Sequence, residues 1–310
     1  MRLGVLAGGN GLGLDELIGQ VREAAGAGLD SAYFSQVLSW DAVTLAALAA
    51  REVPGIAVGT AVTQTYPRHP LALAGQALTA QAASGNRFTL GIGPSHGPLI
   101  ETHFGLSYDR PARHVREYLS ALVPLLRGEQ VDYHGETLTA AGRVMVPGAE
   151  PPPVLLAALG PVMLRMAGEL ADGAVTVWTG PETIARHVTP AVTRAAAAAG
   201  RPRPRVVAGL IMSVTADPEG VRRRVAESLG PAGNLPSYRA MLDRQGKSGV
   251  EETIVAGDEP AVEQAVRAYA EAGVTELVVS LFGDPHERAR TLGLLGALRG
   301  PRGDAQGDAQ

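Results

Sequence analysis

Cysteine is absent from the 310-residue chain, which excludes disulfides, thiolate nucleophiles and cysteine-ligated metals. Lysine occurs once, at Lys247, and no dense run of lysine and arginine is present. The formal net charge is -4, so the chain lacks the basic face that nucleic acid favours. No stretch of about 20 uninterrupted apolar residues offers a membrane span. The apolar run at Met1–Gly9 is too short for a secretory signal. A soluble cytoplasmic protein with neither nucleic acid nor membrane as partner is expected. What is plentiful is apolar material, 45% of the residues, enough at this length for a large core.

Eight short apolar runs alternate with longer segments of helical period, the pattern of βαβ units around a parallel sheet. The runs are Leu3–Ala7, Ser31–Ser35, Ile56–Val62, Phe88–Gly93, Val154–Leu159, Ala174–Thr179, Val206–Val214 and Glu276–Leu281. Most lack strict alternation, as strands covered on both faces should. Between them, Leu14, Leu17, Ile18, Val21, Ala24 and Ala25 carry helical spacing, as do Val262, Ala265, Val266 and Tyr269. Prolines at Pro161, Pro181, Pro218 and Pro285 suit first helical turns. Gly28, Gly85, Gly200 and Gly273 suit left-handed helix ends. A weak repeat links Ala25–Ser35 to Ala270–Ser280, each reading helix end, glycine stop and strand.

The expected fold is therefore an α/β (β/α)8 TIM barrel, a single domain over residues 1–299. The alternative, an open doubly wound sheet, wants a Gly-x-Gly-x-x-Gly turn after strand one. The chain reads Gly8-Gly9-Asn10-Gly11-Leu12-Gly13 there, which is no clean match. The rhythm breaks between strands four and five, where about 60 residues replace a unit of roughly half that length. This insertion, about residues 95–153, is expected to hold a helix near Pro111–Leu126 and a hairpin within Gln130–Thr139. Insertions on that face usually build the site or its lid. The tail 300–310 repeats Gly-Asp-Ala-Gln and is expected to be disordered.

In a barrel the candidate residues sit at the C-terminal strand ends. Here those ends carry Ser35-Gln36, Thr63-Gln64-Thr65, Ser95-His96, Ala157-Ala158-Leu159-Gly160 and Trp178-Thr179. None is a carboxylate, and the histidines share no metal-ligand spacing, so no metal site is expected. Such a site is poor in reactive groups of its own and points to an organic cofactor. Gly91-Ile92-Gly93 either lets a flat ring approach the strand or serves packing inside a barrel. Ala157–Gly160 followed by Pro161 is either an ordinary tight turn or a phosphate site on a helix N-terminus. His96 can exchange a proton near neutral pH or simply hydrogen-bond on a loop. Trp40 and Trp178 can wall a substrate pocket or pack on the rim.

Three stretches now carry a resemblance. Gly59–Pro70 (GTAVTQTYPRHP), Arg87–Gly93 (RFTLGIG), and Val154–Pro161 followed by Ala167–Gly173 (AGELADG) resemble the luciferase-like superfamily. They are most similar to actinobacterial oxidoreductases that use the deazaflavin coenzyme F420, and the resemblance runs from residue 1 to about residue 298. It implies a barrel with a ring near strands two to four. It implies a non-proline cis peptide at Ala61-Val62, a phosphate turn at Ala157, Ala158, Leu159 and Gly160, and ring-adjacent Gly91 and Gly93. Gln36, Thr63 and Ser95 fall beside that ring. Arg68, with Arg110, is a candidate for the coenzyme's anionic tail, and relatives suggest a homodimer.

The chain departs from the family's alcohol- and sugar-oxidising members. Their Asp-His pair after strand two reads Gln36-Val37 here, and their Glu after strand four reads His96. The implied reaction is hydride transfer from reduced coenzyme F420 to an activated C=C or C=N of a small organic substrate. His96 or water would protonate the partner atom. Two alternatives stand: an FMN-dependent monooxygenase, and a non-catalytic deazaflavin-binding protein.

Overall fold

The computed structural model describes residues 1–9 and 11–299; the tail expected to be disordered lies outside them. Its strands are β1 (Arg2–Ala7), β2 (Ser31–Phe34), β3 (Ala57–Thr60), β4 (Thr63–Gln64), β5 (Phe88–Gly93), β6 (Val131–His134), β7 (Thr139–Gly142), β8 (Val154–Ala157), β9 (Gly173–Val177), β10 (Arg205–Val214), β11 (Val255–Gly257) and β12 (Glu276–Leu281). Eight of them, β1, β2, β3, β5, β8, β9, β10 and β12, pair in parallel in that order, and β12 pairs again with β1. The barrel is closed.

The expected strand three is two strands. Between β3 and β4 lies the Ala61–Val62 peptide bond, which is cis, and β4 resumes pairing with β5.

Side chains alternate along each strand, so Ser31 and Tyr33, Arg205 and Val207, and Glu276 and Val278 share the inner face. The inner face is layered accordingly. Tyr33, Leu155, Val175, Val207 and Val278 form an apolar middle. Below it, buried Glu276 accepts hydrogen bonds from Ser31, Tyr33 and Arg205, and Arg205 also reaches Thr89 at 3.1 Å. Burial first, and the Glu276 charge second, push the Tyr33 phenol up to about 12. This floor fills the N-terminal end of the barrel. The opposite end stays open.

Outside, the barrel helices bury a stripe against the strands; Leu17, Ile18, Val21 and Ala24 do so from helix Leu14–Gly26. The prolines occupy first turns at Pro161, Pro181, Pro218 and Pro285, where the missing N–H costs no helical bond. Gly28, Gly85, Gly200 and Gly273 all have left-handed φ, between 61° and 90°, where a β-carbon is disfavoured.

The chain leaves the βα rhythm twice, not once. After β5 come helix Gly97–Phe104, helix Pro111–Leu126 and the β6–β7 hairpin. After β10 come helices Pro218–Gly233 and Pro236–Arg244, then β11, which extends the sheet beside Met212–Val214. Among the described residues no helix is long and apolar enough to cross a membrane.

Candidate active site

The open end of the barrel holds a cavity of about 1870 Å³. A pocket for one drug-sized ligand measures roughly 300–1,000 Å³, so this one has room for a tricyclic cofactor and a substrate together. Its walls come from the ends of β1, β2, β5, β8, β9 and β12, from Ala61, Val62 and Gln64, and from both insertions.

Of the residues singled out in the sequence, His96, Gln36, Ala61, Val62, Gly93, Ser95, Ala157, Ala158, Leu159, Gly160 and Trp178 line this cavity together. Four do not. Thr63 is buried behind the wall, where its hydroxyl donates to Gln36 Oε1 at 2.9 Å. Gly91 is buried too: a β-carbon there would lie 2.0 Å from the Thr60 carbonyl, so the neighbouring strand, not a ring, demands glycine. Arg68 is ion-paired with Asp41. Trp40 is exposed, and its indole N–H donates to Leu12 O at 3.2 Å. Arg110 likewise faces Glu136, and the arginines along the cavity wall are Arg224, Arg244 and Arg288.

His96 sits on the loop after β5, and that loop is held from several sides. Ser95 has a left-handed φ of 63°. Its carbonyl accepts from the Tyr108 hydroxyl at 2.8 Å, and its hydroxyl accepts from Gln64 Nε2 at 3.3 Å. The His96 ring meets Tyr238 edge-on at 4.7 Å, and Tyr238 lies 4.6 Å from Trp178. Trp178 also has a left-handed φ, 51°, and its carbonyl accepts from Gln245 at 2.9 Å. Non-glycine residues in that region are costly and concentrate at functional sites; two of the four such residues described, Ser95 and Trp178, follow β5 and β9 at the cavity. Burial lowers the His96 pKa below the usual imidazole value, so its neutral form predominates at pH 7.

Tyr108, Ser237, Tyr238 and Met241 also line the cavity and escaped the sequence reading. Pro236 at the start of its helix was the available signal for the second insertion.

Several features of the site suit a ring bearing a phosphate. A β-carbon at Gly160 would meet nothing within 4 Å, and no side chain caps the helix that begins at Pro161. Its first-turn N–H groups are therefore left for an outside acceptor. A β-carbon at Gly93 would lie 3.0 Å from Val62 and 2.9 Å from Ala157, so glycine keeps that part of the wall flat. Gln64 Oε1 is buried without a partner among the described residues, and Gln36 Oε1 is fixed by Thr63 and the Ala42 N–H. The residues fit such a group.

Residues 1–276 match the model of the luciferase-like monooxygenase family. The chain belongs to that family. Among curated relatives it is 28% identical to the uncharacterized protein Rv1360 of Mycobacterium tuberculosis over 64% of this chain and 63% of that protein. The family member thus spans less than two thirds of that relative's length. It is 29% identical to Rv3520c of the same organism, which carries the name of a coenzyme F420-dependent oxidoreductase, over 52% of this chain and 50% of that one. In structure, it resembles the coenzyme F420-dependent tetrahydromethanopterin reductase of Methanopyrus kandleri, with TM-score 0.77 and 22% identity over 95% of this chain and 97% of that one. It also resembles the oxygenating constituent of 3,6-diketocamphane monooxygenase from Pseudomonas putida in complex with FMN, with TM-score 0.77 and 19% identity over 96% of each chain. Both are similar in fold.

Proposed function

We propose that this luciferase-like protein is a coenzyme F420-dependent oxidoreductase that reduces an activated C=C or C=N of a small, largely apolar substrate. One observation carries the reading. Among the described residues no carboxylate stands at the strand ends around the cavity; the lining carboxylate, Glu23, is exposed on the outer helix Leu14–Gly26, and the imidazole at the strand ends, His96, is half-buried and favoured neutral. A site so furnished lacks a carboxylate at the strand ends to take a proton from an alcohol or to back His96 as a base, and its redox chemistry comes from a bound group. The name of Rv3520c and the arginines lining the wall, Arg224, Arg244 and Arg288, support the choice of an anionic deazaflavin.

When bound, reduced coenzyme F420 supplies hydride. The chain does the rest. The uncapped helix start at Gly160 and Pro161 would hold the phosphate, and Ala61, Val62, Gln36 and Gln64 would line the part of the cavity that takes the ring, with the unpartnered Gln64 amide oxygen left to bond it. Trp178 and Tyr238 would exclude water beside the substrate, and His96 would serve the atom on which charge develops.

The test is anaerobic mixing of enzyme and reduced coenzyme F420 with a panel of α,β-unsaturated ketones and cyclic imines. Reappearance of the oxidised absorbance with a member of the panel, matched by reduced product, is expected. Consumption of oxygen by the FMN-loaded enzyme, with no reaction of reduced coenzyme F420, would establish the monooxygenase alternative instead. Binding without turnover of any acceptor would leave a carrier.

A further inference from the structure

The second insertion places two consecutive residues on the His96 imidazole. Ser237 Oγ is 3.3 Å from Nδ1, and the Tyr238 ring stands edge-on at 4.7 Å with an interplanar angle of 61°. We propose that Ser237 is a positioning residue that fixes His96 in the tautomer carrying its proton on Nε2. This rests on the reading that His96 faces the acceptor. The two imidazole nitrogens are chemically distinct, and the hydrogen bond made by one decides what the other carries.

A serine hydroxyl can donate or accept, so the direction of this bond has to be argued. Among the described residues the Ser237 hydroxyl has no hydrogen-bond partner other than His96, and Nε2 of His96 has none at all. The Ser237 proton therefore has one acceptor in the protein, the Nδ1 lone pair. Ser237 and Tyr238 of the second insertion contact the imidazole, and Tyr108 of the first holds the adjacent Ser95 carbonyl. Burial raises both phenols above their ordinary range, so neither brings a charge that would add a second proton to the ring. Edge contact with Tyr238 limits rotation of the imidazole, and the anchored Ser95 backbone limits its translation.

The tautomer has a chemical consequence. A bare Nε2 lone pair would accept a proton, which is what oxidation of an alcohol requires. An Nε2–H instead donates a hydrogen bond to the heteroatom on which negative charge builds during reduction. A neutral imidazole acting as such an electrophile is a known catalytic device. The second insertion thus sets the direction in which His96 is useful.

The experiment is a long-range 1H–15N correlation spectrum of cofactor-free protein with 15N-labelled histidine at pH 8. His96→Gln assigns the resonance. In the wild type, His96 should show a protonated Nε2 and an unprotonated Nδ1. In Ser237→Ala the two nitrogen shifts should move toward the averaged positions of a free neutral imidazole, and Ser237→Thr should restore the wild-type pattern. A protonated Nδ1 in the wild type, or an Ser237→Ala spectrum identical to it, would overturn the proposal. Ser237 is exposed, so Ala there is expected to leave the fold intact. The readout needs neither cofactor nor substrate. Failure of His96→Ala to slow turnover would instead refute the reading of the site while leaving the tautomer assignment standing.

Discussion

The two insertions meet at one histidine but hold it by different parts, and they are built differently. The first buries a full helix face: Val115, Tyr118, Leu119, Leu122 and Leu125 join the main core. Its hairpin turn is tied to buried Glu117, which accepts from the N–H groups of Glu136 and Thr137 and from the Thr137 hydroxyl. The second insertion has a small core of its own around Val221, Val225, Leu242 and Val250. It reaches the site through exposed Ser237 and half-buried Tyr238. The first grips the backbone beside His96 through Tyr108, and the second touches the imidazole. A backbone clamp needs rigidity, whereas a wall over a substrate has to admit it, and elements with fewer buried apolar contacts open at lower cost.

The largest effect should come from the residue both insertions serve. His96→Ala is expected to lower turnover by about 10²-fold or more, the usual scale for a positioned acid–base group, with coenzyme F420 affinity little changed. Steady-state turnover set against a cofactor titration checks this, and an unchanged rate would remove His96 from the chemistry.

Next in size is the anchor of the first insertion. Glu117→Ala strands the donors of Glu136 and Thr137 and should cost about 1–3 kcal/mol, read as a lowered midpoint in urea. A comparable loss from Ser237→Ala would erase the contrast between the insertions, since an exposed position of that kind is expected to stay within about 0.5 kcal/mol.

Acid should also separate them. His114 of the first insertion is buried and stacked on Tyr66 at 3.9 Å, and burial lowers its pKa to about 4, only partly offset by Glu117. The unfolded chain, with an ordinary imidazole near 6.5, binds the extra proton first as pH falls. Stability from this group is therefore complete above about 6.5 and is lost progressively down to about 4. Urea unfolding of wild type and His114→Gln across that range tests it; the variant should show the shallower decline.

Smallest is the effect on local opening. Amide exchange in helix Pro236–Arg244 should be faster than in helix Pro111–Leu126, and equal protection in the two helices would contradict the division of labour.

Much of this was legible in the sequence. The eight barrel strands and their order of appearance were readable because each is a nearly continuous apolar run, and the first insertion's helix because its apolar face is wide. The second insertion was harder. Helix Pro218–Gly233 presents only Val221, Val225 and Leu229 as a narrow stripe, contains Gly230-Pro231, and is otherwise rich in charge. β11 is three residues long. With eight strands already counted, nothing local demanded more structure there. At the site, the cavity-lining set from Gln36 to Trp178 was readable because chain position at a strand end fixes height in the barrel. Thr63 and Gly91 follow from the resemblance and Arg68 from the coenzyme's anionic tail, whereas their placement depends on Gln36, Thr60 and Asp41, partners far along the chain.

The cofactor proposed for this barrel is a deazaflavin. Titration of the cofactor-free protein with coenzyme F420 and, separately, with FMN, followed by cofactor fluorescence, tests it most directly. Saturable binding of coenzyme F420 is expected, weakened when Arg224, Arg244 and Arg288 are replaced by alanine. Saturable binding of FMN with no response to coenzyme F420 would contradict it.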